Sequence, residues 1–152
     1  MSEQKEITIT RVFNAPRALV WKAWTDPVHI AKWWGPRGFT NPRCEWSAHI
    51  GGSIYIDMTS PDGLVFPMDG VFYEVVRHER LVFISAALAK DGKRLFEVLN
   101  TIVFAEEGDQ TRLTMTALVG RITPEAAPYL SGMDEGWNQS IDKLGEYLDA
   151  IK

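Results

Sequence analysis

The stretch from Thr123 to Ile151, TPEAAPYLSGMDEGWNQSIDKLGEYLDAI, carries the clearest structural signal in the chain. Its apolar residues recur every three or four positions, at Leu130, Met133, Trp137, Ile141, Leu144, Leu148 and Ile151. This spacing places them on one face of an α-helix. Pro124 following Thr123 is typical of a capped first helical turn. We predict a helix from Leu130 to Ile151, about 33 Å long at ~1.5 Å per residue, which is enough to cross a sheet.

The segment before this helix, from Phe39 to Val119, is patterned for β-strands. Apolar and polar residues alternate with period two, as in half-buried strands. The predicted strands cover 42–48, 54–58, 65–77, 80–84, 95–104 and 111–119. No connection is long enough for a parallel crossover, so we expect antiparallel pairing. Pro67 and Gly70 interrupt the long strand, and we expect a bulge or an edge position there.

The amino-terminal part adds one strand and two short helices. Ile7–Phe13 alternates and is rich in β-branched residues, which favours a strand. We expect Asn14 to cap a first helix, and Asp26-Pro27 to end it and begin a second one at about Val28–Trp34. The order is therefore β-α-α-β6-α. We predict one α+β domain over residues 1–152, with its core at about 7–151.

Composition places the chain among ordinary globular proteins. Hydrophobic residues make up 45% and charged residues 24% of its 152 residues, with a net charge of −4. This balance argues against binding to nucleic acid, which relies on a basic surface. A single cysteine, Cys44, excludes an internal disulfide. No apolar run approaches the ~18 residues of a membrane span, so we expect a cytoplasmic protein without membrane insertion.

A curved sheet that wraps around a long helix leaves a space between the two. The hydrophobic periodicity does not determine whether side chains fill that space. The space is either a filled core or an apolar cavity for a small molecule. Four of the five methionines lie on the facing surfaces, and Glu74 and Asn100 would be buried polar groups that need partners. The residues that we expect to line the space are Trp46, Ile54, Ile56, Met58, Met68, Phe72, Glu74, Phe83, Asn100, Ile102, Met115, Met133, Trp137 and Ile141.

Several short motifs occur in an order that is characteristic of one family. They are Thr10-Arg11-Val12-Phe13-Asn14-Ala15-Pro16, Val20-Trp21-Lys22-Ala23-Trp24-Thr25-Asp26-Pro27, Trp33-Trp34-Gly35-Pro36, Gly51-Gly52, Gly70-Val71-Phe72-Tyr73-Glu74-Val75, Glu79-Arg80-Leu81-Val82-Phe83, Thr111-Arg112-Leu113-Thr114 and Gly136-Trp137. Together they resemble the homologues of the activator of heat-shock protein ninety ATPase, in the START-like (Bet v 1-like) superfamily. The resemblance implies a helix-grip fold, with about seven antiparallel strands curved around the carboxy-terminal helix and a hydrophobic cavity between them.

The resemblance also implies two kinds of function. One is binding of a small hydrophobic ligand, lipid-like or aromatic, in the cavity. The other is an interaction protein of the stress response with a chaperone as its partner. The eukaryotic activator joins such a domain to a separate amino-terminal domain, whereas only six residues precede Ile7 in this sequence. We therefore do not expect this protein to activate the chaperone's ATPase as the eukaryotic activator does. The superfamily also contains cyclases, so a cavity-based enzyme such as a cyclase or hydrolase stays a third alternative.

Catalytic and metal-binding motifs are lacking in the sequence. His29, His49 and His78 are isolated and have no metal-ligand spacing, and we expect them to be solvated. Cys44 has no motif of a nucleophile, so we expect a partly buried, inert thiol. We expect Asp57, Asp69 and Glu74 to lie near inward positions. We predict no catalytic residue, no metal and no cofactor, in a monomer or homodimer.

Tryptophan is concentrated in the first third of the chain. Trp21, Trp24, Trp33 and Trp34 lie on the two short helices, and Trp46 follows them. The first four either close one end of the sheet as a hydrophobic lid or form an exposed patch for a protein partner. We favour the lid, because tryptophan is highly buried on average.

Overall fold

The computed structural model describes residues 5–152. Its seven strands are β1 (Lys5–Phe13), β2 (Thr40–Trp46), β3 (Ser53–Thr59), β4 (Val65–Val76), β5 (Arg80–Leu88), β6 (Arg94–Glu107) and β7 (Gln110–Gly120). Its helices are α1 (Arg17–Thr25), α2 (Pro27–Trp33), α3 (Ala127–Leu130) and α4 (Met133–Ile151), and a 3₁₀ turn, Pro124–Ala126, precedes α3. None of the helices in this part of the chain has both the length and the apolar character needed to cross a bilayer.

All seven strands form one antiparallel sheet in the order β1-β7-β6-β5-β4-β3-β2. Strands β2 to β7 follow one another as a meander, and β1 joins the far edge beside β7 because α1 and α2 carry the chain across to β2. Helix α4 covers the sheet with the buried residues Ser140, Ile141, Leu144 and Leu148. The predicted α+β helix-grip fold is confirmed.

The carboxy-terminal helix starts later than its apolar periodicity predicts. The helical conformation is interrupted at Ser131 and Gly132, where Gly132 has φ −105° and ψ 8°. Helix α4 begins at Met133. Its 19 residues span about 28 Å at ~1.5 Å each. Ser131 and Gly132 are poor helix formers, which explains the interruption. The Thr123 hydroxyl does not cap a helix but donates to the Leu95 carbonyl oxygen over 2.8 Å.

Two other local predictions are wrong. Pro16, not Asn14, precedes the first turn of α1. In β4 the register shifts between Phe72 and Glu74, so the bulge lies at Tyr73 and not at Pro67 or Gly70. Gly70 has another role, because a Cβ there would lie 2.3 Å from the Ile84 carbonyl oxygen of β5. Gly70 therefore allows β4 to approach β5 closely.

The tryptophans of the two short helices form the core at one end of the sheet. Trp24 and Trp33 are fully buried, and their rings meet edge to face with centroids 4.7 Å apart. The Trp33 indole donates to the Ala23 carbonyl oxygen over 2.9 Å, and the Trp46 indole donates to that of Trp24 over 2.8 Å. Because Trp21 and Trp34 are buried as well, the prediction of a lid rather than an exposed patch is confirmed.

Candidate functional site

A cavity of about 570 Å³ lies between the concave face of the sheet and the amino-terminal half of α4. This volume falls within the ~300–1,000 Å³ typical of small-molecule sites. Its walls come from the loop after α2, from strands β3 to β6 and from α3 and α4. The lining residues are Trp34, Gly35, Pro36, Phe39, Met58, Phe66, Pro67, Met68, Ser85, Ala86, Ala87, Leu88, Phe96, Val98, Asn100, Pro128, Tyr129, Gly132, Met133, Gly136, Trp137 and Ser140.

Small side chains on β5 and α4 leave this space open. Along β5, Phe83 is followed on the inner face by Ser85 and Ala87, which pair with Gly70 and Met68 of β4. Opposite them lie Gly132, which immediately precedes α4, and Gly136 of α4. The other end of the sheet is filled by large rings, since Trp46 packs against Phe72 and Phe83 with centroids 5.2 Å apart in both pairs. Side-chain volume thus confines the cavity to one end of the fold.

One wall of the cavity is a loop that α4 holds in place. Lys143 Nζ donates to the carbonyl oxygens of Gly35 and Pro36 over 3.1 and 3.2 Å. Burial, together with the charge of Arg37, lowers the pKa of Lys143. Arg37 forms two hydrogen bonds with the Glu146 carboxylate, of 3.1 and 2.5 Å, and these lower the pKa of Glu146. The loop is therefore fixed to the polar side of α4 while its inner side faces the cavity.

The mouth of the cavity lies beside α3. Tyr129 of α3 is 39% exposed and packs edge to face on Phe66 of β4, with ring centroids 6.0 Å apart. Pro128 and Gly132 are also exposed lining residues. On the inner side, Trp137 packs edge to face on Trp34 at 5.1 Å. The cavity thus connects a solvent-accessible rim with a buried aromatic wall.

Three buried polar side chains interrupt the apolar lining: Ser85, Asn100 and Ser140. The two N–H groups of the Asn100 amide are shared among three acceptors: the Ser85 hydroxyl at 3.0 Å and the carbonyl oxygens of Phe83 and Val98 at 3.3 and 3.2 Å. Asn100 Oδ1 is buried and has no partner within residues 5–152. The Ser140 hydroxyl donates to the Gly136 carbonyl oxygen of its own helix over 3.0 Å. Ser85 and Asn100 therefore form a hydrogen-bonded polar pair in the otherwise mostly apolar lining.

The structure brings five of the fourteen predicted lining residues to this cavity. They are Met58, Met68, Asn100, Met133 and Trp137. Eight others are buried in the filled part of the core, where aromatic and aliphatic side chains occupy the space: Trp46, Ile54, Ile56, Phe72, Phe83, Ile102, Met115 and Ile141. These eight residues are buried, but they lie outside the cavity that the other five line.

Glu74 does not face inward. The bulge at Tyr73 shifts the register, so that Glu74 pairs with Val82 on the outer face of the sheet and forms an ion pair with Arg80. Asp57 and Asp69 alternate with lining methionines and also lie on the outer face, where Asp69 is 3.5 Å from Arg94. These three carboxylates are therefore outside the cavity, contrary to their predicted inward positions.

Most of the lining residues that are small or lie in a loop are not predicted from the sequence. The loop residues Gly35, Pro36 and Phe39 are not among the predicted lining residues, although Gly35 has φ +95° and a Cβ there would lie 3.0 Å from the Met58 sulfur. Ser85, Ala86 and Ala87 are three small residues in succession within a strand. That run was the available signal, because small residues on an inward face leave volume unfilled.

Cys44 and the three histidines lie outside the cavity. Burial raises the pKa of the Cys44 thiol to about 11, and His49 is exposed. His29 and His78 are half-buried rather than solvated: the His29 ring contacts the Tyr147 hydroxyl, and the His78 ring packs on Trp21 at 5.9 Å. Between Lys5 and Lys152 no three His, Cys, Asp or Glu side chains come together as metal ligands.

Comparison with solved structures finds the same fold in several bacterial proteins. A protein from Nitrosomonas europaea is 30% identical with a TM-score of 0.79, and the match covers 95% of this chain and 94% of that one. One from Chromobacterium violaceum is 25% identical with a TM-score of 0.77, covering 94% and 96%. The AHSA1 protein from Silicibacter pomeroyi, 21% identical with a TM-score of 0.82 over 97% and 100%, shares the fold.

A search of curated proteins gives no match. The family model described as "Activator of Hsp90 ATPase homolog 1-like protein" matches residues 14–149. That match includes the motifs from Asn14 to Trp137, both short helices, strands β2 to β7 and nearly all of α4. The chain therefore belongs to the family of Activator of Hsp90 ATPase homolog 1-like proteins.

Proposed function

We propose that this protein binds a small hydrophobic molecule, lipid-like or aromatic, in the cavity between the sheet and α4. The observation that supports the proposal is a cavity of about 570 Å³ that is lined mainly by apolar side chains. Removing apolar ligand surface from water contributes ~25 cal/mol per Å². A ligand of modest size would therefore bind through the shape and apolar character of the walls.

The lining suits a ligand whose shape is not narrowly specified. Met58, Met68 and Met133 line three sides, from β3, β4 and α4. Methionine side chains adapt to irregular shapes and contact aromatic rings favourably through sulfur. Trp34 and Trp137 supply flat aromatic surface beside them. These side chains support binding of either an alkyl chain or a ring system.

A neutral fluorescent probe, N-phenyl-1-naphthylamine, tests the proposal. Its emission should rise and shift to the blue, with saturation, as it enters the cavity. Ala87→Phe places a ring into the empty volume and should weaken binding by about tenfold or more, because the space for the probe is lost. Thr101→Phe adds the same ring on the outer face of β6 and serves as the matched control, with affinity expected within about twofold of wild type.

Two results would contradict the proposal. One is the absence of saturable binding by the folded wild-type protein. The other is an equal loss of affinity in Ala87→Phe and Thr101→Phe. Circular dichroism and urea unfolding of both variants establish that each is folded, so a loss confined to Ala87→Phe is assigned to the cavity.

We propose a second function, as an interaction protein for an Hsp90-type chaperone, on the strength of the family match over residues 14–149. The name of the family refers to activation of the chaperone's ATPase. ATP turnover by an Hsp90-type chaperone, measured with and without saturating protein, tests this candidate. A change in turnover in either direction would support an interaction, and unchanged turnover at saturating protein would contradict it.

A further inference from the structure

We infer that the ligand of this cavity is uncharged and carries a hydroxyl or carbonyl oxygen that accepts a hydrogen bond from Ser85. The inference rests on the proposed ligand-binding function and defines the chemical class of the ligand. Two independent features of the cavity carry it: the absence of charge from the described walls, and a polar pair at one point of the lining.

No Asp, Glu, Lys, Arg or His occurs among the described lining residues. The nearest ammonium group on α4, that of Lys143, is held by the carbonyl oxygens of Gly35 and Pro36 behind the loop. Arg94 pairs with Asp69 on the outer face of the sheet. A carboxylate or ammonium group entering the cavity would lose its hydration without gaining an ion partner, which is strongly unfavourable. The walls therefore select against charged ligands, including the anions of fatty acids.

Ser85 is the buried polar group of the lining with a donor to spare, since the unpartnered atom of Asn100, Oδ1, can only accept a hydrogen bond. Ser85 is 8% exposed, whereas Asn100 is 1% exposed. The Asn100 amide nitrogen is oriented by the two carbonyl oxygens of Phe83 and Val98, so it donates to the Ser85 oxygen and leaves the hydroxyl proton free. Within residues 5–152 that proton has no acceptor. Asn100 is therefore a positioning residue, and Ser85 is the donor to the ligand.

Ser140 provides an internal comparison. It is also buried and lines the same cavity, but its hydroxyl already donates to the Gly136 carbonyl oxygen within α4 over 3.0 Å. A serine that donates to its own helix has no proton left for a ligand. The two serines thus differ in donor capacity rather than in position, which makes Ser140→Ala a matched control for Ser85→Ala.

Three ligands on one ring system test the inference: naphthalene, 2-naphthol and 2-naphthoate, measured by isothermal titration calorimetry at pH 7. We expect 2-naphthol to bind about fivefold tighter than naphthalene, as for one added hydrogen bond. We expect 2-naphthoate to bind about tenfold or more weaker than 2-naphthol, because its charge is buried without a partner. Ser85→Ala should remove the preference for 2-naphthol and leave the affinity for naphthalene within about twofold. Ser140→Ala should preserve the preference.

The outcomes separate this inference from the function on which it rests. Tight binding of 2-naphthoate would overturn the selection against charge. A preference for 2-naphthol that persists in Ser85→Ala would overturn the role of Ser85. In both cases binding of naphthalene would leave the proposed function intact. Failure of all three ligands to bind would contradict the inference and the ligand-binding function together.

Discussion

Individual tryptophans in this protein have two kinds of surroundings. Trp24 is fully buried and meets the rings of Trp33, Trp34 and Phe104 at centroid distances of 4.7, 6.5 and 6.5 Å. Trp137 is half-buried and has the cavity on one side, with Trp34 at 5.1 Å on the other. The same residue type therefore contributes packing in one place and a wall of the cavity in the other.

Truncation of these two residues should have unequal effects on stability. Trp24→Ala removes contacts on all sides, and we expect a loss of about 3–5 kcal/mol in the free energy of unfolding. Trp137→Ala removes a ring that already lacks contacts toward the cavity, and we expect about 1–3 kcal/mol, together with a changed affinity for hydrophobic probes. Urea titrations measure both losses. Equal losses, with unchanged affinity in Trp137→Ala, would mean that Trp137 belongs to the packed core.

Strand β4 shows what can be predicted for an element from its sequence and what cannot. Alternation of apolar residues locates the strand at 65–77, close to the observed Val65–Val76. It does not locate the bulge, because a bulge is defined by how two strands pair, and here Tyr73 is left between residues that pair with β5. The predicted inward position of Glu74 is wrong for this reason. The residue pattern of one strand contains no information about the register in which that strand pairs with its neighbour.

Gly70 in the same strand has a steric role that substitution can measure. A Cβ at Gly70 would lie 2.3 Å from the Ile84 carbonyl oxygen and 3.1 Å from the Ser85 α-carbon, both backbone atoms that cannot move without shifting β5. We expect Gly70→Ala to lower the free energy of unfolding by about 2–3 kcal/mol.

Gly120, at the end of β7, is the control, because a Cβ there has nothing within 4 Å. We expect Gly120→Ala to leave stability unchanged or raise it by about 0.5–1 kcal/mol through a less flexible unfolded chain. Urea or thermal unfolding compares the two variants. Comparable stability of both would show that β4 and β5 can separate at Gly70 at little cost.

At the scale of the whole molecule, the order of elements follows from the sequence, and the extent of the cavity does not. Hydrophobic periodicity predicts the seven strands and the long helix, since each pattern is local. The position of the cavity depends on summed side-chain volumes from β3, β4, β5, β6 and α4, which meet only in the folded chain. Met115 and Met133 illustrate this, because both lie on apolar faces, yet Met115 is fully buried in the core and Met133 lines the cavity.

The four methionines within residues 5–152 therefore provide the most direct test of ligand binding in the cavity. With methyl-¹³C methionine, the NMR signals of Met58, Met68 and Met133 should shift on titration with N-phenyl-1-naphthylamine, because an aromatic ring beside a methyl group changes its local magnetic field. All three should follow one saturation curve, and the signal of Met115 should move least. Single Met→Ile variants assign the signals. A saturating probe that leaves those three signals unchanged, or shifts Met115 as much as them, would contradict binding in this cavity.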